Sequence, residues 1–593
     1  MMPRFLQSRS VPPELRGRLP LLLLLLATTL LYSRTLSYGF VYDDFPQIVN
    51  NPRIESWHSF GSLFTHHLWA QQIAAAQGNY YRPLLLVWMM LNYWLFHAAA
   101  AGWHATSLLL QLLAGTLVWL TTEELTRDKR TALIAAAIFL LHPLMVESTV
   151  WVSDANEPLC LVFLLASLLL LTRAADSRRR LALSLLLFAL ALLTKETAIV
   201  FVLCVFAYKA VFEVKETRRE SIFEATKTSC GFAVVALVYF IVRRLVLGTA
   251  VLNAPPATSV GSSLLTLPSV LLTYVRNIAF PAGLALFYDT PYLLKINAHF
   301  EFAAMALIAL AGLGLWLCWR EKSRACAFGL LWGILLLGPS LYGIRYFADL
   351  GLVHDRYIYS SMAGFSIFAA VIAAPWLRKP PGITVAAVVA IAGCALTLQQ
   401  QKQWQSEDAL YTRAAEVAPS SPAPWLLLAN LKLAERNITQ AQPLIDRSLA
   451  LNPNYVAGRL RRASLFIASG QLPQAEADLQ VAMTLRPDRA DVHAWMAKLR
   501  WSQGRTAEAV AELNRAITMF PENLDYRIDL AHFYLESGDT PSAIAQYRAA
   551  LQVAPHETEL RTAILVLERR STLQSQKPGT LNRTRIEKSR IPK

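Results

Sequence analysis

Cysteine is scarce and badly placed for a scaffold. The 593 residues contain six (Cys160, Cys204, Cys230, Cys318, Cys326 and Cys394), each in or beside an apolar run. None lies in a polar stretch, which excludes a disulfide framework and zinc-ligand spacing. The glycine patterns of a phosphate loop or a dinucleotide fold are missing, so nucleotide hydrolysis is not supported. No Ser, His and Asp fall at a usable nucleophile spacing either. Charge is sparse: 16% of residues are charged and 54% are hydrophobic, too apolar for a soluble chain of this length. The net charge of +15 does not indicate nucleic acid, because many of the basic residues sit in short loops between apolar runs.

Residues 19–399 hold about eleven runs of the length a bilayer demands. They start near residues 19, 103, 132, 158, 181, 197, 230, 302, 326, 361 and 383. Basic clusters fall in alternate loops. They are Arg4, Arg9, Arg16 and Arg18; Arg127, Lys129 and Arg130; Arg173 and Arg178 to Arg180; Lys215, Arg218, Arg219 and Lys227; Arg320, Lys322 and Arg324; Arg378 and Lys379. The positive-inside rule puts all six on the cytoplasmic face. Eleven spans then leave everything after Leu398 outside, in a bacterial periplasm or an endoplasmic reticulum lumen. The first run has no Ala-x-Ala cleavage site and reads as a retained signal anchor. The spans lack the internal symmetry of a transporter.

The second half repeats. Pro419, Pro453, Pro487, Pro521 and Pro555 are 34 residues apart, as are Ala429, Ala463, Ala497 and Ala531. Ala441, Ala475, Ala509 and Ala543 keep the same step, and so do Gly470, Gly504 and Gly538. This is the tetratricopeptide-repeat pattern: small residues let paired helices approach, and proline ends the second helix. Four repeats are expected over 422–555, with a half repeat before and a capping helix after. The fold expected is all-α, in three parts: a multi-span membrane domain over 1–402, an α-solenoid over 403–570 and a basic disordered tail over 571–593.

The outer loops collect the unusual polar residues. The first, 37–102, carries Asp43-Asp44, Asn50-Asn51, Tyr81-Arg82-Pro83 and a short apolar segment, 84–97, read as lying along the membrane surface. The second runs from His142 through Glu147 to Glu157 without a Lys or Arg. The third is Lys195-Glu196, the fourth covers 248–300, and the fifth carries His354-Asp355-Arg356-Tyr357; Arg243 and Arg244 end the seventh run. Each cluster alone has a bland reading, such as a snorkelling Arg or a solvated acid pair. Their concentration on one face does not, because random polar residues divide between both. Two Asp would suit a hard divalent cation, but no spacing fixes the other ligands.

These residues match a known pattern. Phe40-Val-Tyr-Asp-Asp, Asn51-Pro52, Tyr81-Arg82-Pro83, Leu91-Asn92-Tyr93, His142-Pro143 with Glu147, Lys195-Glu196 and Arg356-Tyr357-Ile-Tyr359 stand in order. In this the chain resembles the transmembrane and tetratricopeptide-repeat proteins, of the GT-C class of membrane glycosyltransferases. It departs at Tyr42, where Trp is expected, and at Asp355, where Glu is expected. The resemblance implies transfer of a sugar, mannose, from a polyprenyl-phosphate donor to Ser or Thr hydroxyls of extracytoplasmic proteins. Asp43 or Asp44 corresponds to the catalytic acid. Arg82, Arg244, Arg356 and Lys195 are the expected donor-phosphate ligands, with His142, Glu147, Tyr81, Glu196 and Asp355 lining the pocket. The repeats would bind the acceptor protein or a partner. Two further readings stand: a cell-envelope glycan or lipid as acceptor, or a membrane-anchored repeat scaffold without catalysis.

Overall fold

A computed structural model describes residues 18–70, 80–173, 177–213, 216–249, 257–346, 351–553 and 558–575. Arg4, Arg9, Arg16, Lys215, Pro555 and the tail from residue 576 lie outside the described residues. The described chain is helical, with no strand. It divides into two units between Tyr455 and Val456.

The first unit is an integral membrane bundle. Eight helices are long and apolar enough to cross a bilayer, from Leu19–Ser37 to Pro380–Gln405. A ninth span forms if Lys129–Leu141 and Pro143–Val150, bent by 57° at His142, are taken together. Two of the eleven expected runs fall short of this test. Arg178–Thr194 has 17 residues and begins with three arginines. The run after it is a tight turn, Glu196–Val200, followed by the 12-residue helix Phe201–Phe212. Both are nevertheless core elements. The rings of Phe188, Phe201 and Phe232 are fully buried and meet pairwise at 5.5 to 5.7 Å, so each of the two helices is held by aromatic packing.

Pro83–Phe96 is a 14-residue apolar helix, too short to span, as expected. The stretch 248–300, expected as a loop, contains the 20-residue helix Val260–Ala279. Its buried residues, Ser262, Thr266, Val270, Tyr274 and Asn277, recur every three to four positions and are mostly polar. A search for apolar runs misses such a stripe.

The first unit also takes the head of the repeats. Helix Glu407–Val417 and the pair Pro422–Ala434 and Ile438–Leu451 belong to it, although the expected solenoid begins at 403. The reason is packing. Trp404, Leu410, Tyr411 and Leu428 share one buried cluster with Tyr32, Val41 and Trp151.

The second unit is the rest of the solenoid: Val456–Ala468 with Leu472–Leu485, Ala490–Ser502 with Thr506–Met519, Leu524–Glu536 with Thr540–Val553, then Thr558–Ser575. First helices start 34 residues apart, and the eight periodic alanines are all 0% exposed. A larger side chain at any of them would push paired helices apart. Gly470, Gly504 and Gly538 turn each pair with φ of 73°, 75° and 84°. The equivalent residue of the first repeat is Arg436, at φ 58°. An L-residue with a side chain is strained there, by about 1 kcal/mol. Arg436→Gly should therefore raise the thermal midpoint of the purified protein. Gly504→Ala, whose added methyl meets open space, should lower it through backbone strain alone.

Candidate active site

The outer-loop residues do converge. A cavity of about 390 Å³ in the first unit is lined from the segments 43–47, 68–69, 80–85, 151–157, 195–199, 339–344 and 351–357. Phe240 and Arg243, near the end of Arg218–Leu247, complete it. These are the alternate connections expected on one face.

The adjacent acids part company. Asp44 is fully buried, and its carboxylate accepts from Val41 N–H at 3.0 Å, Ser153 N–H at 2.9 Å and the Ser153 hydroxyl at 2.5 Å. It fastens the first outer loop to the second. Asp43 turns instead into the cavity, where its carboxylate makes no hydrogen bond or ion pair among the described residues. Just before the pair, Tyr42 turns the chain with a φ of 53°. Downstream, Asn51 fixes the loop, accepting from Arg53 N–H at 3.2 Å and donating to the Gln47 carbonyl at 2.9 Å. Burial pushes Asp43 up to about 7, with Arg356 pulling down and Asp154 pushing up. Asp44 is raised to about 7 by burial too, against the pull of its donors.

The cavity cations are matched to acids. Arg82 donates to both oxygens of Glu196, at 3.0 and 2.8 Å, and covers the Tyr80 ring at 4.5 Å. Lys195 pairs with Glu157, both buried. Arg356 donates to Glu147 at 2.8 Å and lies 5.1 Å from the Trp151 ring and 4.9 Å from the Tyr357 ring. Carboxylates Asp43, Asp154, Glu157 and Glu196 face Arg82, Lys195, Arg243 and Arg356 across the lining. Glu196 and Glu157, the partners of Arg82 and Lys195, line the same space, whereas Glu147, the partner of Arg356, lies outside the lining.

Other expected site residues belong to the frame. Arg244 is exposed, while Arg243, about 100° round the helix, lines the cavity at 3% exposure. Asp355 accepts from the Tyr288 hydroxyl at 2.7 and 2.8 Å and from Asn277 at 3.2 Å, away from the cavity. His142 accepts from Leu144 N–H at 3.2 Å, so its Nε2 carries the hydrogen and donates to the Ile278 carbonyl at 3.0 Å. It holds the bend between two helices. Tyr81 donates to the Phe64 carbonyl at 3.0 Å; its neighbour Tyr80 lines the cavity. Glu147 touches the site only through Arg356. Among the described residues no three His, Cys, Asp or Glu gather to hold a metal ion, and Asp44 is occupied by its donors. With Asp44 taken up by these donors, the acid pair does not fit a divalent cation.

Sequence reasoning passed over Asp154, Glu157 and Arg243 as site residues. Asp154 and Glu157 are three apart at the start of a span, a spacing that shares a side. Arg243 ends the buried stripe Ala225, Ser229, Phe232, Ala236 and Tyr239; that spacing was the available signal.

Residues 81–245 match the family model of dolichyl-phosphate-mannose-protein mannosyltransferases, and 432–499 and 500–564 match that of tetratricopeptide repeats. A protein O-mannosyl-transferase of Drosophila melanogaster, Tmtc1, is 32% identical over 28% of this chain and 20% of its own length. One of Caenorhabditis elegans, F38B6.6, is 21% identical over 73% of this chain and 63% of its own. The chain thus spans about a fifth of the first curated relatives it matches. An Archaeoglobus fulgidus oligosaccharyltransferase, solved with a tethered acceptor peptide, aligns over 72% of this chain and 59% of its own at 14% identity and a TM-score of 0.40. The resemblance read from the motifs is matched by relatives bearing the family's name.

The two acids should separate in stability. Asp44→Ala strands two buried N–H groups and should cost about 3 kcal/mol. Asp43→Ala, which strands none, should stay within about 1 kcal/mol of the parent. Thermal unfolding of the detergent-solubilised variants reads the difference.

Proposed function

We propose that this chain transfers a sugar, mannose by its resemblance, from a polyprenyl-phosphate donor to Ser or Thr hydroxyls of proteins. Asp43 is the base. The observation that carries this is one cavity carboxylate left without a protein partner, facing cations that are already placed. A hydroxyl is a poor nucleophile until a positioned base takes its proton. As Asp43 accepts that proton, the acceptor oxygen bonds to the sugar's anomeric carbon and the bond from that carbon to the donor phosphate breaks. The leaving lipid phosphate gains negative charge, which Arg82, Arg243, Arg356 and Lys195 stabilise. Phe240, Ile199 and Leu352 supply an apolar wall for the lipid end.

With Arg178–Thr194 and the Glu196–Phe212 segment read as spans beside the nine, the total is eleven, and together with the positive-inside rule this supports a cavity and repeats outside the cytoplasm. There the repeats would meet acceptor proteins. A glycan or lipid acceptor keeps the same donor chemistry. A scaffold without catalysis leaves the cavity's charge arrangement without a role.

Asp43→Asn should cut transfer from a lipid-linked mannose donor in membranes by about 10²- to 10⁴-fold. Full activity in that variant would reject the reading. The base works ionised, so kcat/KM should rise with pH through about 7 and level off above it. Arg243→Ala should raise the donor KM by about tenfold or more, whereas Arg244→Ala should leave it near the parent value. Steady-state kinetics with varied donor tests the pair.

A further inference from the structure

The last span ends at Gln405, and Ser406 starts the next helix by accepting from Ala409 N–H at 3.3 Å. Glu407 is that helix's first residue. One of its oxygens accepts twice: from the Tyr411 hydroxyl at 2.6 Å and from the backbone N–H of Tyr42 at 3.3 Å. Tyr42 precedes Asp43 and holds φ at 53°, a conformation a bulky residue keeps only when its surroundings impose it. Those surroundings come from this helix, from the turn before it and from the second outer connection. The Tyr42 ring lies 6.3 Å from Tyr411 and 5.6 Å from Trp151, and Trp151 stacks on Trp404 at 5.9 Å.

We propose that Glu407 is a positioning residue for Asp43, so that the head of the repeat array forms part of the reaction site's frame. The proposal rests on the reading of Asp43 as the base. Glu407 is the acceptor for the Tyr42 N–H. Remove it, and the Val41–Tyr42 peptide that carries this part-buried N–H loses one of its two hydrogen bonds and keeps the other, from Asp44 N–H to the Val41 carbonyl at 3.0 Å, so it swings more freely. The swing turns the Asp43 carboxylate, while Asp44 stays pinned by Val41 and Ser153. The split between the two acids therefore depends on a residue more than 360 positions away in sequence.

The test uses the full-length protein, a lipid-linked mannose donor and a Ser/Thr peptide. Glu407→Ala should lower kcat about tenfold with the donor KM within about twofold, the mark of lost positioning and not lost binding. Glu407→Gln, which keeps an oxygen acceptor, should return most of the loss. Amide exchange gives a readout free of activity: in Glu407→Ala the segment 40–44 should exchange about tenfold faster, with 52–64 unchanged. Wild-type kcat and wild-type exchange in Glu407→Ala would overturn the proposal. So would equal losses in the Ala and Gln variants that track a fallen thermal midpoint. If the parent protein itself transfers no sugar, the functional reading fails, while the exchange result still decides whether Glu407 holds the Tyr42–Asp43 turn.

Discussion

One buried carboxylate holds the site together. Asp44 takes hydrogen bonds from Val41 and Ser153, so two loops separated in sequence by two spans become one wall. Burying a charged group without partners costs several kcal/mol, and three donors offset much of that cost. Because Asp44 is spent in this way, Asp43 is left to face the cavity. The chemistry proposed for Asp43 is thus set by its neighbour's hydrogen bonds as much as by its own environment.

The cations obey the same rule. Arg82, Lys195 and Arg356 each have a carboxylate partner, drawn from the third, second and second outer connections in turn. Pairing lets positive charge sit in a low-dielectric site before any phosphate arrives. It also fixes the cation positions, so little reorganisation is needed when leaving-group charge develops. Arg356 is held on a second side by the Trp151 ring, which ties it to the Trp151–Trp404 stack. The frame around Asp43 and the frame around the cations therefore share Trp151.

Much of this was legible in the chain. The 34-residue period located every described repeat helix, because steric demands at the close approach and the turn admit few residue types. Charge alternation grouped the loops that line the cavity. What escaped was orientation. Arg243 and Arg244 are chemically identical in sequence, and only the stripe of small and aromatic residues before them tells which faces inward. Asp43 and Asp44 are likewise identical in sequence, and only the distant donor Ser153, with Val41, shows which of them is fixed into the frame. Asp355 and His142 read as pocket residues because their bonding partners, Tyr288, Asn277 and the Ile278 carbonyl, lie far away in sequence.

That pattern has a physical reading. Most of the motif residues that resemble a known family's signature do structural work here: Asn51 caps a turn, Tyr81 ties together two parts of the first outer loop, His142 holds a bend, Asp355 anchors a helix start and Asp44 joins two loops. Polar groups at a membrane edge have little water to fall back on, so each must find a protein partner. A frame built from such bonds tolerates few substitutions, because losing one partner strands the other. At the cavity a ligand can supply a contact that the protein leaves open, so a side chain there can do without a protein partner. On this argument a dense polar signature marks the frame first. Within it, a side chain without a hydrogen-bond or ion-pair partner among the described residues, as Asp43 is, becomes the strongest candidate for chemistry.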